Sequence, residues 1–215
     1  MARISKPPEE RKVEILDAAA KLFSIKGVNE TSVNEIVREV GVAQGLFYYY
    51  FKSKDELIEA VCDRYSEKII VMVEEKINRK DINSLEKLKI FFSLTDESEV
   101  RQNINLVEYI HDKNRISLHE KIARKTTKKF VEMFKSVIEQ GINEKVFNVD
   151  NAEVAAQFLV VGFGHLHESV EIDTDPEKLK IWAEGALDIL KRVLGINKDL
   201  KVTDIFAERI QDVSF

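Results

Sequence analysis

Residues 31–57 read TSVNEIVREVGVAQGLFYYYFKSKDEL, and this stretch decides the fold of the N-terminal part of the chain. Ser32 and Glu35 form a capping box, in which a hydroxyl at the helix start and a carboxylate three residues later satisfy main-chain N–H groups. Gly41 supplies the tight turn that ends this helix, because glycine readily adopts a left-handed backbone. A short helix over residues 43–50 follows. The stretch therefore predicts two short helices joined by a glycine turn.

A longer helix is predicted upstream, over residues 8–26. Its apolar side chains recur at helical spacing and Gly27 ends the run; they are Val13, Leu16, Ala20 and Phe23. Three helices with a glycine turn between the second and the third make a helix-turn-helix, whose last helix enters the major groove of DNA. Residues 1–53 are therefore predicted to be a DNA-binding domain.

The third helix divides its side chains between a core and a DNA-reading surface. Phe47 and Phe51 lie four residues apart on one face, which predicts that they anchor the helix. The Gln44 amide can pair with a base edge, and Gly45 allows the main chain to approach a phosphate closely. Tyrosine hydroxyls on the remaining faces can donate to phosphate oxygens.

A second capping box starts the fourth helix, which is predicted to run from residue 54 to about residue 78. Ser53 and Glu56 form the box. Lys54 lies beside the free N–H groups of the first turn, so its ammonium and those groups together suit a phosphate.

This stretch resembles the N-terminal signature of the tetracycline-repressor (TetR) family over about residues 9–60. The resemblance rests on the Gly41 turn, the aromatic run that ends at Phe51, and the Lys-Ser-Lys-Asp-Glu-Leu that follows. It implies a homodimeric transcriptional repressor that a small ligand releases from a palindromic DNA operator, and not an enzyme. It also implies these DNA-facing positions: Thr31, Ala43, Gln44, Gly45, Tyr48, Tyr49, Tyr50 and Lys54.

The resemblance is incomplete inside the third helix. Ala43 and Gln44 stand where serine and lysine are frequent in the family, and Leu46 stands where threonine or serine is frequent. Fewer phosphate contacts and more apolar contact with DNA would follow from these differences.

Residues 54–215 are predicted to be a helical ligand-binding and dimerisation domain, so the whole chain is expected to be all-α. Further helices are predicted over residues 84–97, 100–112, 116–142, 151–171, 176–194 and 202–211. The helix at 151–171 is apolar nearly all round and must be buried on several sides. It is expected to form a four-helix bundle in the homodimer together with the helix at 176–194, whose apolar stripe is Leu179, Trp182, Ala186, Leu190 and Val193.

Bulky apolar residues after the head are numerous enough to line a cavity for an unidentified small-molecule effector. The candidates are Met72, Phe91, Phe92, Tyr109, Phe134 and Trp182. A regulator that binds DNA constitutively, without a ligand, is the alternative. A helical enzyme and an adaptor that does not bind DNA are further rivals, although no catalytic motif stands out.

Composition limits the remaining classes of function. Charged residues make up 33% of the chain, and glycine and proline number only 8 and 3, which favours long helices. Cys62 is the one cysteine, so the sequence predicts no disulfide framework and a cytoplasmic location. His165 and His167 lie two apart and do not share a helix face, so no metal or other cofactor is predicted. No apolar run suggests a membrane partner.

The charge distribution favours DNA binding by the N-terminal part. Net charge is -5 overall. Residues 1–54 carry about two more basic than acidic residues, whereas the remainder is acidic. A basic head on an acidic body is typical of a small DNA-reading domain attached to a larger one.

Overall fold

The computed structural model describes residues 7–92, 104–110, 116–170 and 176–206. Across these ranges the chain forms helices and contains no strand, which confirms the all-α class. In chain order the helices are α1 (Pro8–Lys26), α2 (Val33–Val40), α3 (Gln44–Tyr50), α4 (Lys54–Ile77), α5 (Ser84–Phe92), α6 (Ile104–Ile110), α7 (Ile116–Asn143), α8 (Ala152–Val170), α9 (Pro176–Leu194) and α10 (Val202–Phe206). Among these helices, none combines the length and apolar character that a membrane span requires.

Two compact units make up the chain. The head unit combines residues 1–68 with 98–123, and the body unit combines residues 69–97 with 124–215. Helices α4 and α7 each contribute residues to both units. The predicted DNA-binding domain, residues 1–53, lies within the head unit, and its boundary after residue 53 stays a prediction.

The head core is built from α1 to α4 and is completed by α6 and the start of α7. Phe47 and Phe51 are buried in it as predicted, with ring centroids 5.7 Å apart. Helix α6 adds Leu106, Tyr109 and Ile110 to the same core. The three-helix head is therefore part of a larger hydrophobic cluster.

The body core is rich in aromatic rings. Phe92 is its central ring, with centroids 4.8 Å from Phe163, 5.1 Å from Phe206 and 6.2 Å from Phe134. Aliphatic side chains of α4, α7, α8 and α9 surround these rings, among them Val73, Val137, Leu159 and Leu190. Burial of this apolar surface is the main term that stabilises the unit.

Helices α2 and α4 begin at their predicted caps, although the Glu56 carboxylate accepts from the Lys52 N–H at 2.7 Å instead of from the Ser53 N–H. Ser32 accepts from the Glu35 N–H and Glu35 accepts from the Ser32 N–H, which confirms that capping box. At the start of α8 the side-chain oxygen of Asn151 accepts from the Val154 N–H at 3.0 Å. The helix starts one residue later than predicted, and an amide oxygen serves this cap as well as a carboxylate does.

Several predicted helix ends fall outside the described residues. They are residues 93–97 of the helix predicted at 84–97, both ends of the one predicted at 100–112, residue 171 and residues 207–211.

Candidate nucleic-acid interface

Helices α2 and α3 are joined by a turn that depends on Gly41. Gly41 has a φ of 73°, in the left-handed region that side chains other than glycine disfavour. Its N–H donates to the Arg38 carbonyl, and the Val42 N–H donates to the Val37 carbonyl at 2.9 Å. These hydrogen bonds close α2 and set the direction in which α3 begins.

Helix α3 is anchored on one side and open on the other. Phe47 is fully buried and its ring packs edge-on against Tyr48, with centroids 5.2 Å apart. Tyr48 is 52% exposed and Tyr49 is 74% exposed. Because large aromatic side chains are rarely left this open to water, the open face of α3 is the candidate surface for a partner.

The small and polar residues of the predicted surface lie at the start of α3. Ala43, Gln44 and Gly45 are all exposed. A Cβ built on Gly45 would meet nothing within 4 Å, so the main chain there is open to close approach. Tyr50 is partly buried and its ring packs against Tyr49, with centroids 4.9 Å apart. Five of the eight predicted DNA-facing residues therefore share one open surface, and Tyr50 borders it.

Thr31 is not on this surface. Its side chain is buried, with 1% of the residue exposed, and its hydroxyl donates to the Gly27 carbonyl at 2.8 Å. Ser32, the next residue, is the N-cap of α2. DNA contact by Thr31 stays a prediction from the resemblance alone.

Lys54 is partly buried and reaches across the head to the turn between α1 and α2. Its ammonium donates to the Val28 carbonyl at 2.7 Å and to the Asn29 carbonyl at 3.3 Å. The sequence offered no signal for these contacts, because the residues are 26 and 25 positions apart.

Ion pairs hold α1 against α2. Lys21 pairs with Glu39 at 2.6 Å, and Lys26 pairs with Glu35. The Lys26 hydrogen bond, followed by those from the Ser32 main chain and hydroxyl, lowers the pKa of Glu35 from 4.5 to about 2. Both acidic groups of α2 thus lie beside lysines, and residues 40–54 contain no acidic residue. The sequence next to the open face of α3 therefore adds no negative charge that would repel phosphate.

The predicted effector-binding residues lie in two different places. Phe91, Phe92 and Phe134 contact one another in the body unit, and Phe91 and Phe134 have centroids 4.7 Å apart. Trp182 joins the same cluster through Phe206 at 5.6 Å. Met72 is a partly buried residue of α4 in the body unit, whereas Tyr109 belongs to the head core. Four of the six candidates are thus brought together.

Helix α8 carries apolar residues on two opposite sides. Ala155, Leu159 and Phe163 are buried in the body core. Val154, Phe158 and Val161 are exposed, and Phe158 is exposed to 65%. Among the described residues one side of α8 is buried in the body core and the opposite side is exposed, so burial of this helix on several sides stays a prediction.

Helix α9 differs from its predicted arrangement. Ala186 and Leu190 of the predicted stripe are buried inside the body unit, and Trp182 and Val193 pack against the same core. The exposed apolar residues of α9 are instead Ile181, at 69%, and Ile189. Gly185 lies between them, and a Cβ there would meet nothing within 4 Å. The described side chains of the predicted stripe therefore face the core of their own chain, and the side chain of Leu179 lies outside the described residues.

Titratable side chains form no metal-binding cluster in the part of the chain that the structure describes. No group of three His, Cys, Asp or Glu side chains has suitable geometry there. The side chains of His165 and His167 lie outside the described residues.

Residues 15–61 match the family model for bacterial regulatory proteins of the tetR family. Over 152 residues the chain is 24% identical to the HTH-type transcriptional repressor KstR2 of Mycobacterium tuberculosis, covering 70% of this chain and 76% of that repressor. A transcriptional regulator from Cytophaga hutchinsonii has a similar structure, with a TM-score of 0.68, 25% identity and coverage of 86% of this chain and 97% of that one. The regulator FadR from Bacillus subtilis, solved in complex with stearoyl-CoA, gives a TM-score of 0.55 at 21% identity, covering 85% and 97%.

Proposed function

We propose that this chain, a DNA-binding transcriptional regulator of the TetR family, is a cytoplasmic, homodimeric repressor. An apolar small molecule releases it from its palindromic operator. The observation that carries the proposal is the two-sided α3, anchored by Phe47 and Phe51 and open at Tyr48 and Tyr49. No catalytic step is part of this function.

The open face of α3 supplies the contacts to the operator. Gln44 is an exposed amide that suits a base edge in the major groove. Gly45 leaves the main chain open, and the hydroxyls of Tyr48 and Tyr49 suit phosphate oxygens on either side. Phosphate contacts fix the position on the duplex, and Gln44 provides the discrimination between sequences.

The exposed apolar residues of α8 and α9 form the surface that joins two copies. Val154, Phe158 and Val161 follow one another at intervals of four and three residues, which keeps them on one side of α8. Ile181 and Ile189 flank Gly185 on α9 in the same unit. A two-fold axis would let one copy of this surface cover the other, since an isologous interface is self-complementary.

The effector is proposed to bind among the aromatic side chains of the body unit. Phe91, Phe92 and Phe134 provide apolar ring surface there, and a site of this kind prefers an apolar or amphiphilic compound. The FadR structure with stearoyl-CoA makes a long-chain acyl thioester the first probe to use. Release then requires that the effector binds the DNA-free state more tightly than the DNA-bound state.

Selection of duplexes from a random DNA pool by the full-length protein tests the proposal. The expected product is an inverted repeat whose half-site centres lie about one helical turn, ~34–36 Å, apart. Stearoyl-CoA, fatty acids and small aromatic acids are then added to the selected complex, and release is followed by fluorescence anisotropy. Failure to enrich any duplex would refute the DNA-binding part. A selected complex that every probe leaves intact would favour a constitutive regulator.

A further inference from the structure

We propose that Thr31 and Lys54 form a clasp on the turn between α1 and α2, and that they support operator binding by holding this turn rather than by contacting DNA. The operator half of this inference rests on the proposed function. The clasp itself is a property of the DNA-free protein.

Three consecutive carbonyls of the turn are the acceptors of the clasp. The Gly27 carbonyl receives the Thr31 hydroxyl at 2.8 Å. The carbonyls of Val28 and Asn29 receive the Lys54 ammonium at 2.7 and 3.3 Å. Side chains from both ends of the helix-turn-helix thus converge on one short segment of main chain.

The turn needs such donors because it follows the end of a helix. Gly27 leaves α1 with a φ of 89°, so the carbonyls of residues 27–29 lie beyond the helix and outside its main-chain hydrogen-bonding pattern. Val28 is 2% exposed and belongs to the head core, so its main chain lies where water is scarce. Buried carbonyls are almost always hydrogen-bonded, and an ammonium is a stronger donor than a neutral group.

The clasp brackets the DNA-reading helices. Thr31 directly precedes Ser32, the N-cap of α2, and Lys54 starts α4 three residues after Phe51, the C-cap of α3. Holding both residues on the same turn fixes the entry to α2 and the exit from α3 relative to α1. Loss of the clasp would leave the side chains of α3 intact but less well positioned, and position is what base readout needs.

The same geometry argues against direct contact with DNA. Thr31 is 1% exposed, so its hydroxyl has almost no surface for a phosphate to approach. Transfer of the Lys54 ammonium to a phosphate would break its hydrogen bonds to the Val28 and Asn29 carbonyls. Lys52, which lies two residues earlier and is exposed, is the control lysine with which Lys54 is compared.

Five variants of the full-length protein separate the two roles. Lys54→Met keeps the side-chain stem and removes the ammonium, and Lys54→Arg keeps a charged donor. Lys52→Met removes the same charge at the exposed position. Thr31→Val removes the hydroxyl while keeping the shape of the side chain, and Thr31→Ser keeps a hydroxyl. Hydrogen exchange of the segment spanning residues 27–32 is measured without DNA, and affinity for the selected duplex is measured over a range of salt concentrations.

We expect Lys54→Met and Thr31→Val to speed exchange in this segment about tenfold, whereas Lys52→Met, Lys54→Arg and Thr31→Ser leave it near wild type. Lys54→Met should also lower operator affinity while its plot of log affinity against log salt stays parallel to that of wild type. A lost phosphate contact would instead flatten this slope by about 0.9 per contact. Unchanged exchange in Lys54→Met, or a flattened slope, overturns the inference. If wild type selects no duplex, the operator half fails with the proposed function, and exchange alone decides the clasp.

Discussion

The side-chain amide of Asn105 donates to the main-chain carbonyl of Ser24 at 2.7 Å, across 81 positions of sequence. Ser24 lies in the last turn of α1, where carbonyls have no partner within the helix. Helix α6 therefore provides part of the C-terminal cap of α1. Leu106 and Tyr109 of the same helix are buried in the head core, so the cap and the packing act together.

Asn105→Ala should lower the free energy of unfolding by ~1 kcal/mol, because it removes one partly buried hydrogen bond. Urea unfolding of the full-length protein measures this difference. Asn34→Ala is the matched control, since Asn34 is exposed on α2 of the same unit and a surface substitution costs less than about 0.5 kcal/mol. Equal midpoints for the two variants would show that Asn105 does not cap α1.

The contribution of Glu35 to the stability of the head should be lost in acid. Its carboxylate has a pKa lowered to about 2, so the stabilisation from its hydrogen bonds is complete above about pH 4.5. It is lost as the pH falls from there toward 2. The advantage of wild type over Glu35→Gln in melting temperature should therefore shrink over this window. Lys26→Met should weaken the same dependence, since the Lys26 hydrogen bond is the largest cause of the shift. A difference that stays constant with pH would contradict this assignment.

Gln44→Ala should reduce discrimination between operator sequences. If the amide makes a bidentate contact with a base, the preference for that base falls by ~1–3 kcal/mol, while affinity for unrelated DNA changes little. Competition binding with duplexes altered one position at a time measures the effect. Because Gln44 is exposed, the melting temperature should not change. An unaltered preference at every position would exclude Gln44 as the residue that reads the base.

Phe158→Glu should separate the two copies of the dimer. A charge in place of a 65% exposed aromatic residue at the proposed interface should raise the dissociation constant at least about 100-fold. Val71→Glu is the control, because Val71 is also exposed and apolar but lies on α4, outside α8 and α9. Sedimentation should find Phe158→Glu monomeric and Val71→Glu dimeric. A dimer of unchanged affinity in Phe158→Glu would move the interface elsewhere.

Cys62 should be unreactive in the native protein. Burial, followed by the charges of Asp63 and Glu59, raises the pKa of its thiol to about 12, so almost no thiolate exists at neutral pH. A chromogenic disulfide reagent should therefore modify the thiol only at the rate at which the head opens, and rapidly in urea. Immediate reaction in buffer would show that the thiol is accessible.

The sequence predicted well those features that depend on neighbouring residues. The Ser32 capping box, the Gly41 turn and the buried pair Phe47 and Phe51 all follow from spacings of four residues or fewer. Each is governed by hydrogen bonds or faces within one helix, so a single stretch contains the information.

Features that depend on distant residues could not be read from the sequence. Lys54 looks like a phosphate contact in its local context, and its carbonyl partners are 26 and 25 positions away. The apolar stripe of α9 could not show whether it faces its own chain or another, because helical spacing defines a face but not what covers it. The contribution of α6 to the head core needed the same long-range information.

The discontinuous head unit sets a limit on how regulators of this kind can be recombined. A chimera that transplants only residues 1–53 onto a foreign sensor leaves behind Leu106, Tyr109 and Ile110, which line the same hydrophobic core as Phe47. The recipient would have to supply equivalent side chains at the junction or expose that apolar surface to water. Swapping operator specificity is therefore better done by replacing the open face of α3 within the native chain than by exchanging the whole reading module.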